Sequence, residues 1–181
     1  GDEDWLIFDG GNTHFWSEIA VNIAGWKGKK LGGIMHPGSY SLLGVGVSFA
    51  VSAKSIHPNR NIVLISGDGA FLSGGLSIEA AFQENLPITV VIDNNGGLDC
   101  ISQQQERLFA SGKHFATDFR DIPFHSMFEG LGGHGELVER REDLGPALQR
   151  AMSSGKPACV NVKCRGVISP IVAATSDKRE K

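Results

Sequence analysis

The stretch Asn61 to Gly97, "NIVLISGDGAFLSGGLSIEAAFQENLPITVVIDNNGG", decides the architecture of this chain. It opens on an apolar run, Asn61–Ser66, passes an aspartate held between two glycines, continues with helical spacing over Leu76–Asn85, and closes on a second apolar run, Ile88–Asp93. Both runs are nearly continuous in their apolarity rather than alternating, which is the pattern of strands covered on both faces. Strand, helix and strand in that order form a βαβ unit, in which the crossover helix returns the chain to the same edge and sets the strands parallel.

The same alternation extends outward in both directions. Trp5–Asp9, His134–Val138 and Ala158–Lys163 read as further strands; Ser41–Lys54, Ile122–Gly132 and Arg141–Gly155 carry helical spacing. Two of the helices have clear stops, Asn85 before Leu86–Pro87 and Gly155 before Lys156–Pro157. The pattern predicts an α/β fold: a doubly wound, mainly parallel six-stranded sheet with helices on both faces. It occupies residues 1–165, followed by a C-terminal tail over 166–181. Residues Asp99–Arg120 have weak periodicity and read as a long loop with one helix, or a segment that orders around a ligand or partner.

Composition sets the outer limits. At 181 residues, 41% hydrophobic and 20% charged, the chain is long enough for one ordinary globular domain. The net charge of -3 comes from mixed signs, with a basic run only in the closing "DKREK", which excludes a nucleic-acid-binding stripe. The longest apolar stretch, Ser41–Ala53, is interrupted and falls short of the roughly 20 residues a bilayer requires, so no membrane role is expected. Cys100, Cys159 and Cys164 form no CxxC pair and no metal-ligand spacing with histidine. Packing thiols in a reducing, cytoplasmic setting are expected. The chain opens on "GDEDWLIF" without methionine and is expected to be a piece of something longer.

In a parallel sheet the loops that leave the strand ends collect on one edge, and ligands bind there. Asp68 leaves one strand, and Asn95 leaves the next, 27 residues on. If those strands are neighbours, the two side chains stand side by side. A carboxylate oxygen, an amide oxygen and a nearby backbone carbonyl are hard donors suited to magnesium, which shares its shell with phosphate oxygens. One charged and one neutral ligand make sense when the bound anion brings its own charge. Gly67 and Gly69 permit a tight turn and a close approach of backbone N–H groups to phosphate. The residues alone therefore point to a magnesium diphosphate site, although each motif taken singly is an ordinary turn.

"GDGAF" followed at this spacing by "NNGG" resembles the signature of thiamine-diphosphate-dependent enzymes. "LPITVVIDNNGG", "HFATDFRD" and "GELVERREDLGPALQRAMSSGKPACVNV" resemble the C-terminal diphosphate-binding domain of the acetolactate synthase, benzaldehyde lyase, oxalyl-CoA decarboxylase and 2-hydroxyacyl-CoA lyase group. The resemblance implies thiamine diphosphate and Mg2+ as cofactors. It implies Asp68, Asn95 and the Gly97 carbonyl as metal ligands. Gly67, the Gly69 and Ala70 amides, and Leu98 would line the diphosphate. "DGGNTHFW", Asp9–Trp16, falls where relatives place another diphosphate loop, making Gly11, Asn12 and Thr13 candidates; read without the family, Asn12 and Thr13 cap a helix. In "GSYSLLGVG", Leu43 would be the wedge that bends the cofactor, with the Ser41 carbonyl accepting from its aminopyrimidine. Relatives commonly have glycine at position 41 and Met or Ile at 43. Without the family, Leu43 is a core residue.

The family also needs a glutamate from a separate pyrimidine-binding domain, and Glu79, Glu84 and Glu106 do not match its motif. The chain is thus expected to be half of an active site, completed by that domain in the same polypeptide or a partner subunit, in a homodimer or homotetramer. Of His36, His114, His125 and His134, only His36 lies beside the bending segment and is a candidate for proton transfer. The apolar-then-basic tail resembles the one that closes over substrate in the acyl-CoA branch, and a 2-hydroxyacyl-CoA lyase is the favoured reading; a 2-oxo acid substrate, as in acetolactate synthase or oxalyl-CoA decarboxylase, is the alternative. Two readings of other classes stay open: a magnesium-dependent phosphotransferase using Asp9 as its additional carboxylate, and a non-catalytic cofactor-binding or assembly module.

Overall fold

The computed structural model describes residues 2–109 and 113–176. Six strands, β1 (Trp5–Asp9), β2 (Gly33–Met35), β3 (Ile62–Gly67), β4 (Thr89–Asn94), β5 (His134–Val138) and β6 (Ala158–Lys163), form one sheet in the order β2-β1-β3-β4-β6-β5. Every pairing is parallel. The helices are α1 (Asn12–Trp26), α2 (Gly46–Ile56), α3 (Asp68–Gly74), α4 (Glu79–Gln83), α5 (Asp99–Leu108), α6 (Phe124–Gly130), α7 (Leu144–Ser153) and α8 (Pro170–Ser176). This is the expected α/β architecture. The final residues of the tail, 177–181 and so its basic run, lie outside the described residues.

Alternate residues of the central strands feed the two faces. Ile7, Ile62, Leu64, Val90 and Ile92 are fully buried and join Val47, Ala50, Phe71, Phe124 and Phe128 in the main core beneath α2, α3, α4 and α6. On the other face α7 closes a smaller cluster around Val138, Ala147, Ala151 and Val160. Beside α1 an apolar groove of about 760 Å³ runs along Leu6, Phe8, Ala20, Ile34 and Ile65.

Several local departures have physical causes. The helix read from Ser41 begins only at Gly46, because Ser41 (φ 49°) and Gly44 (φ 89°) adopt left-handed backbone that a right-handed helix cannot contain. The segment read as one helix over Leu76–Asn85 is a 3-10 turn, Gly75–Ile78, followed by the single short helix α4. Its stop at Asn85 is real: that residue is left-handed (φ 51°), as is Gly155 after α7. Helix α1 starts at Asn12, inside the stretch read as a loop. The three-residue strand β2 had no visible apolar run of its own.

The topology fixes where a ligand goes. After β1 the chain steps to β2 on one side, then returns to β3 on the other, so strand order reverses between β1 and β3. In open α/β sheets the crevice beyond the strand ends at such a switch point is the binding position. The segments leaving β1 and β3 are Gly10–Thr13 and Gly67–Ala70.

Candidate diphosphate and metal site

Strands β3 and β4 are direct neighbours, with Gly67 opposite Asp93, so Asp68 and Asn95 emerge from adjacent strand ends as the 27-residue spacing anticipated. Asp68 is 2% exposed. Its Oδ1 accepts from the Gly69 N–H at 2.7 Å, and its Oδ2 accepts from the N–H groups of Gly96 at 2.8 Å and Gly97 at 3.1 Å. The Gly97 N–H also donates to Asn95 Oδ1 at 3.2 Å. The carboxylate thus ties the two loops together and keeps acceptor capacity, since two carboxylate oxygens offer about four lone-pair directions.

The backbone of residues 117–119 holds the loop around Gly97 from outside. The Leu98 N–H donates to the Thr117 carbonyl at 2.8 Å and the Phe119 N–H to the Gly96 carbonyl at 2.7 Å, making an isolated bridge between Gly97 and Asp118. The segment after α5 is therefore the brace of the loop over residues 95–98. Gly69 leaves room for the neighbouring loop: a Cβ there would stand 2.4 Å from Leu98 Cδ2, and the Leu98 side chain would have to turn aside.

Around these groups lies a cavity of about 120 Å³ lined by Gly11, Asn12, Thr13, Leu43, Gly67, Asp68, Gly69, Ala70, Asn95, Gly97 and Leu98. At roughly 30 Å³ per water, it holds about four water-sized groups, room for a metal ion and a few diphosphate oxygens; anything larger extends through its mouth. The apolar groove beside α1 is bigger but is lined mainly by apolar side chains and holds none of the Asp68, Asn95 and Gly97 cluster, so the smaller cavity is the candidate site. Asp99, Cys100 and Ile101 also line it. They were not anticipated, because the start of α5 carries no motif.

Burial pushes the Asp68 carboxyl up, an effect opposed by its three backbone N–H donors and reinforced by the nearby Asp93 charge. A dication would reverse that penalty. The donors present, a carboxylate and an amide oxygen on a cleft floored by small residues, fit magnesium with a diphosphate.

The bending segment is anchored from two sides. Asp9, 1% exposed at the end of β1, accepts from the Gly46 N–H at 2.7 Å and from the Gly44 N–H at 3.0 Å through Oδ2. On the other side α3 ends directly against Gly44, where a Cβ on Gly74 would lie 2.0 Å from the Gly44 carbonyl oxygen. Leu43, 40% exposed, consequently faces the cavity and is not the core residue its sequence alone allows. Asp9 is committed to backbone amides, which removes it as the free carboxylate a phosphotransferase requires.

The remaining candidates divide. Asn12 and Thr13 are not caps: the residue before α1 is Gly11, without a side-chain capping bond. The Asn12 amide donates to Gln103 Oε1 at 3.0 Å and accepts from the Ser169 N–H at 3.0 Å, while Thr13 Oγ1 donates to Asp93 Oδ2 at 2.6 Å. Asn12 therefore joins the tail and α5 to the cavity wall. Ser41 is exposed and outside the cavity lining. His36 is also outside it: the Gly38 N–H donates to its Nδ1, and its ring lies 5.0 Å from that of His14. Glu106 is engaged with His114 Nδ1. Among the cysteines, Cys159 is buried in the core, whereas Cys164 donates to Asp93 beside the site.

A family profile described as thiamine pyrophosphate enzyme, C-terminal TPP binding domain, matches residues 9–162. The chain belongs to this family. The thiamine pyrophosphate-binding domain is similar to a probable acetolactate synthase of Mycobacterium bovis, 38% identical over 129 residues, which are 71% of this chain and 23% of the relative. It is similar to a 2-hydroxyacyl-CoA lyase of Oryza sativa subsp. japonica, 29% identical over 150 residues, 81% of this chain and 25% of the relative. It is also similar to the oxalyl-CoA decarboxylase of Escherichia coli, 31% identical over 140 residues, 77% of this chain and 24% of the relative. The domain thus spans about a quarter of the length of these relatives. Among the described residues no helix is long and apolar enough to cross a membrane.

Proposed function

We propose that this domain holds the diphosphate end of thiamine diphosphate, through magnesium, in an enzyme that cleaves or forms a carbon–carbon bond beside a carbonyl. The observation that carries the reading is the coupling of Asp68, Asn95 and Gly97 across two adjacent strand ends. Asp68, Asn95 and the Gly97 carbonyl would hold the metal. The amides of Gly69 and Ala70, with Gly11, Asn12 and Thr13 opposite, would hold the phosphates, and Gly67 and Leu98 would shape the cleft. When bound, thiamine diphosphate supplies the electron sink for breaking the bond.

This chain's own residues bind, bend and shield. Leu43, fixed through Gly44 by Asp9 and α3, would support the bent cofactor, with the Ser41 carbonyl turned toward its pyrimidine side. The tail would act as a lid. Its first part already lies along α1, where Trp16 Nε1 donates to the Val167 carbonyl and Ser169 is wholly buried. The pyrimidine-binding domain with the catalytic glutamate comes from elsewhere in the polypeptide or from a partner subunit, in a homodimer or homotetramer.

For the substrate, the tail's position beside the site supports a 2-hydroxyacyl-CoA lyase, which forms formyl-CoA and a ketone or aldehyde. The higher identity to the Mycobacterium bovis relative supports a second reading, acetolactate formation from pyruvate. Incubating the complete assembly with each substrate separates them: formyl-CoA from a 2-hydroxyacyl-CoA supports the first, acetolactate the second. Magnesium-dependent cofactor binding with neither product, nor oxalyl-CoA decarboxylation, would leave a binding module.

A further inference from the structure

Away from the diphosphate cavity, α1 and the end of β2 bring together two imidazoles and a carboxylate. His14 and Glu18 lie one turn apart on α1, with His14 Nε2 3.0 Å from Glu18 Oε1. His36, the residue after β2, places Nε2 4.0 Å from the same oxygen. One ligand atom from each of the three lies within 4.8 Å of the other two. None of the three lines the diphosphate cavity.

We propose that His14, Glu18 and His36 form a second metal site, for a divalent transition ion of the zinc class. Two imidazole nitrogens beside one carboxylate oxygen favour zinc or cobalt over magnesium, because it is the borderline imidazoles that those ions take readily and magnesium does not. A tetrahedral zinc with bonds of about 2.0–2.1 Å sets its ligands ~3.4 Å apart, and the 3.0 and 4.0 Å separations bracket that edge. The three residues also combine rigidity with adjustment. His14 is 5% exposed and its ring stacks on Phe15, while His36 is exposed and can turn the remaining distance.

In its 3.0 Å contact with Glu18 Oε1, His14 Nε2 is the donor, and coordination there moves the ring proton to Nδ1. The Gly38 N–H donates to His36 Nδ1 at 3.2 Å, so without metal the ring proton sits on Nε2. Coordination at Nε2 moves that proton to Nδ1 and releases the exposed Gly38 N–H to water. The fourth position of the ion stays open to a water. Because His36 begins the segment that ends at Leu43, the ion would pin that segment to α1.

The test is a zinc titration by calorimetry on the complete assembly, with magnesium and thiamine diphosphate present, repeated with cobalt and its visible absorption as the coordination readout. One site per chain with a tetrahedral cobalt spectrum is expected. His36→Ala, at an exposed position that does not endanger folding, should weaken zinc by more than about 100-fold, the upper end of what loss of even a supporting residue costs. Glu18→Gln should do likewise, and Asp68→Ala should leave zinc affinity unchanged. Zinc affinity that is unaltered in His36→Ala and Glu18→Gln would overturn the proposal, as would zinc binding lost with Asp68.

Discussion

Replacing Asp68 by alanine should uncouple the metal loop without unfolding the domain. The substitution removes the acceptor of the partly buried Gly96 N–H on the far loop and one of the two acceptors of the buried Gly97 N–H, which keeps Asn95 Oδ1. Leaving such a donor unpaired costs about 1–3 kcal/mol, and loss of a carboxylate that burial already disfavours offsets part of it. A net local loss of ~2 kcal/mol is small against a typical stability of about 5–15 kcal/mol. It corresponds to ~30-fold faster opening of the loop. Amide hydrogen exchange reads this at Leu98 and Phe119, whose N–H groups close the bridge to the metal loop. In the wild-type assembly, magnesium and thiamine diphosphate at ~100 times Kd should slow exchange there by up to ~100-fold, equivalent to about 2.7 kcal/mol. In Asp68→Ala the cofactor should slow nothing. Equal cofactor-induced protection in both proteins would refute the reasoning.

Other consequences follow from neighbouring groups. Asp9→Ala should free the Gly44 and Gly46 amides and destabilise the domain by about 1.5–3 kcal/mol, the range of charged hydrogen bonds; chemical denaturation measures the loss, and an unchanged midpoint would contradict it. Ser41→Gly should be neutral or stabilising by up to ~1 kcal/mol, because a left-handed L-residue carries a cost of about 1–2 kcal/mol that glycine avoids, less the entropy glycine adds to the unfolded chain; a clear destabilisation would mean the serine side chain makes a needed contact. Acid acts in two opposed ways. Asp68 is raised above 3.8, so its contribution to metal-free stability is present below 3.8 and lost as pH rises through the raised value. Magnesium needs the charged form, so magnesium-dependent cofactor affinity should already weaken above pH 3.8 on acidification. Glu136, gripped by Arg150 at 2.8 Å through both oxygens, is held down at about 2, so its stabilising contribution is present above 4.5 and lost as pH falls toward about 2. Titrating cofactor affinity and unfolding separately against pH distinguishes the two.

The parallel sheet was legible because β3, β4 and β6 are short, continuous apolar runs, and the Asp68–Asn95 pairing was legible because one βαβ unit fixes their separation. Helix α1 was obscured by the glycines and polar residues at its start, which read as a loop. Strand β2 contributes only Gly33–Met35 and owes its place to pairing with β1, a tertiary effect. Asp9 looked like a spare acid; only the fold shows both of its jobs done by backbone amides 35 and 37 residues away. His36 looked close to the cofactor in sequence, but the left-handed turn at Ser41 and Gly44 carries Leu43 into the cavity and leaves His36 against His14 and Glu18. Local spacing identifies strand ends, while the direction of a side chain beyond a turn depends on contacts that sequence separation hides.

The central claim is that Asp68, Asn95 and the Gly97 carbonyl hold magnesium on a diphosphate. A structure of the complete assembly with magnesium and thiamine diphosphate tests it most directly. The ion is expected at about 2.0–2.1 Å from one oxygen of each of these three residues, with the phosphates against Gly69 and Ala70. A diphosphate bound elsewhere, or an ion that bypasses Asp68 and Asn95, would contradict it.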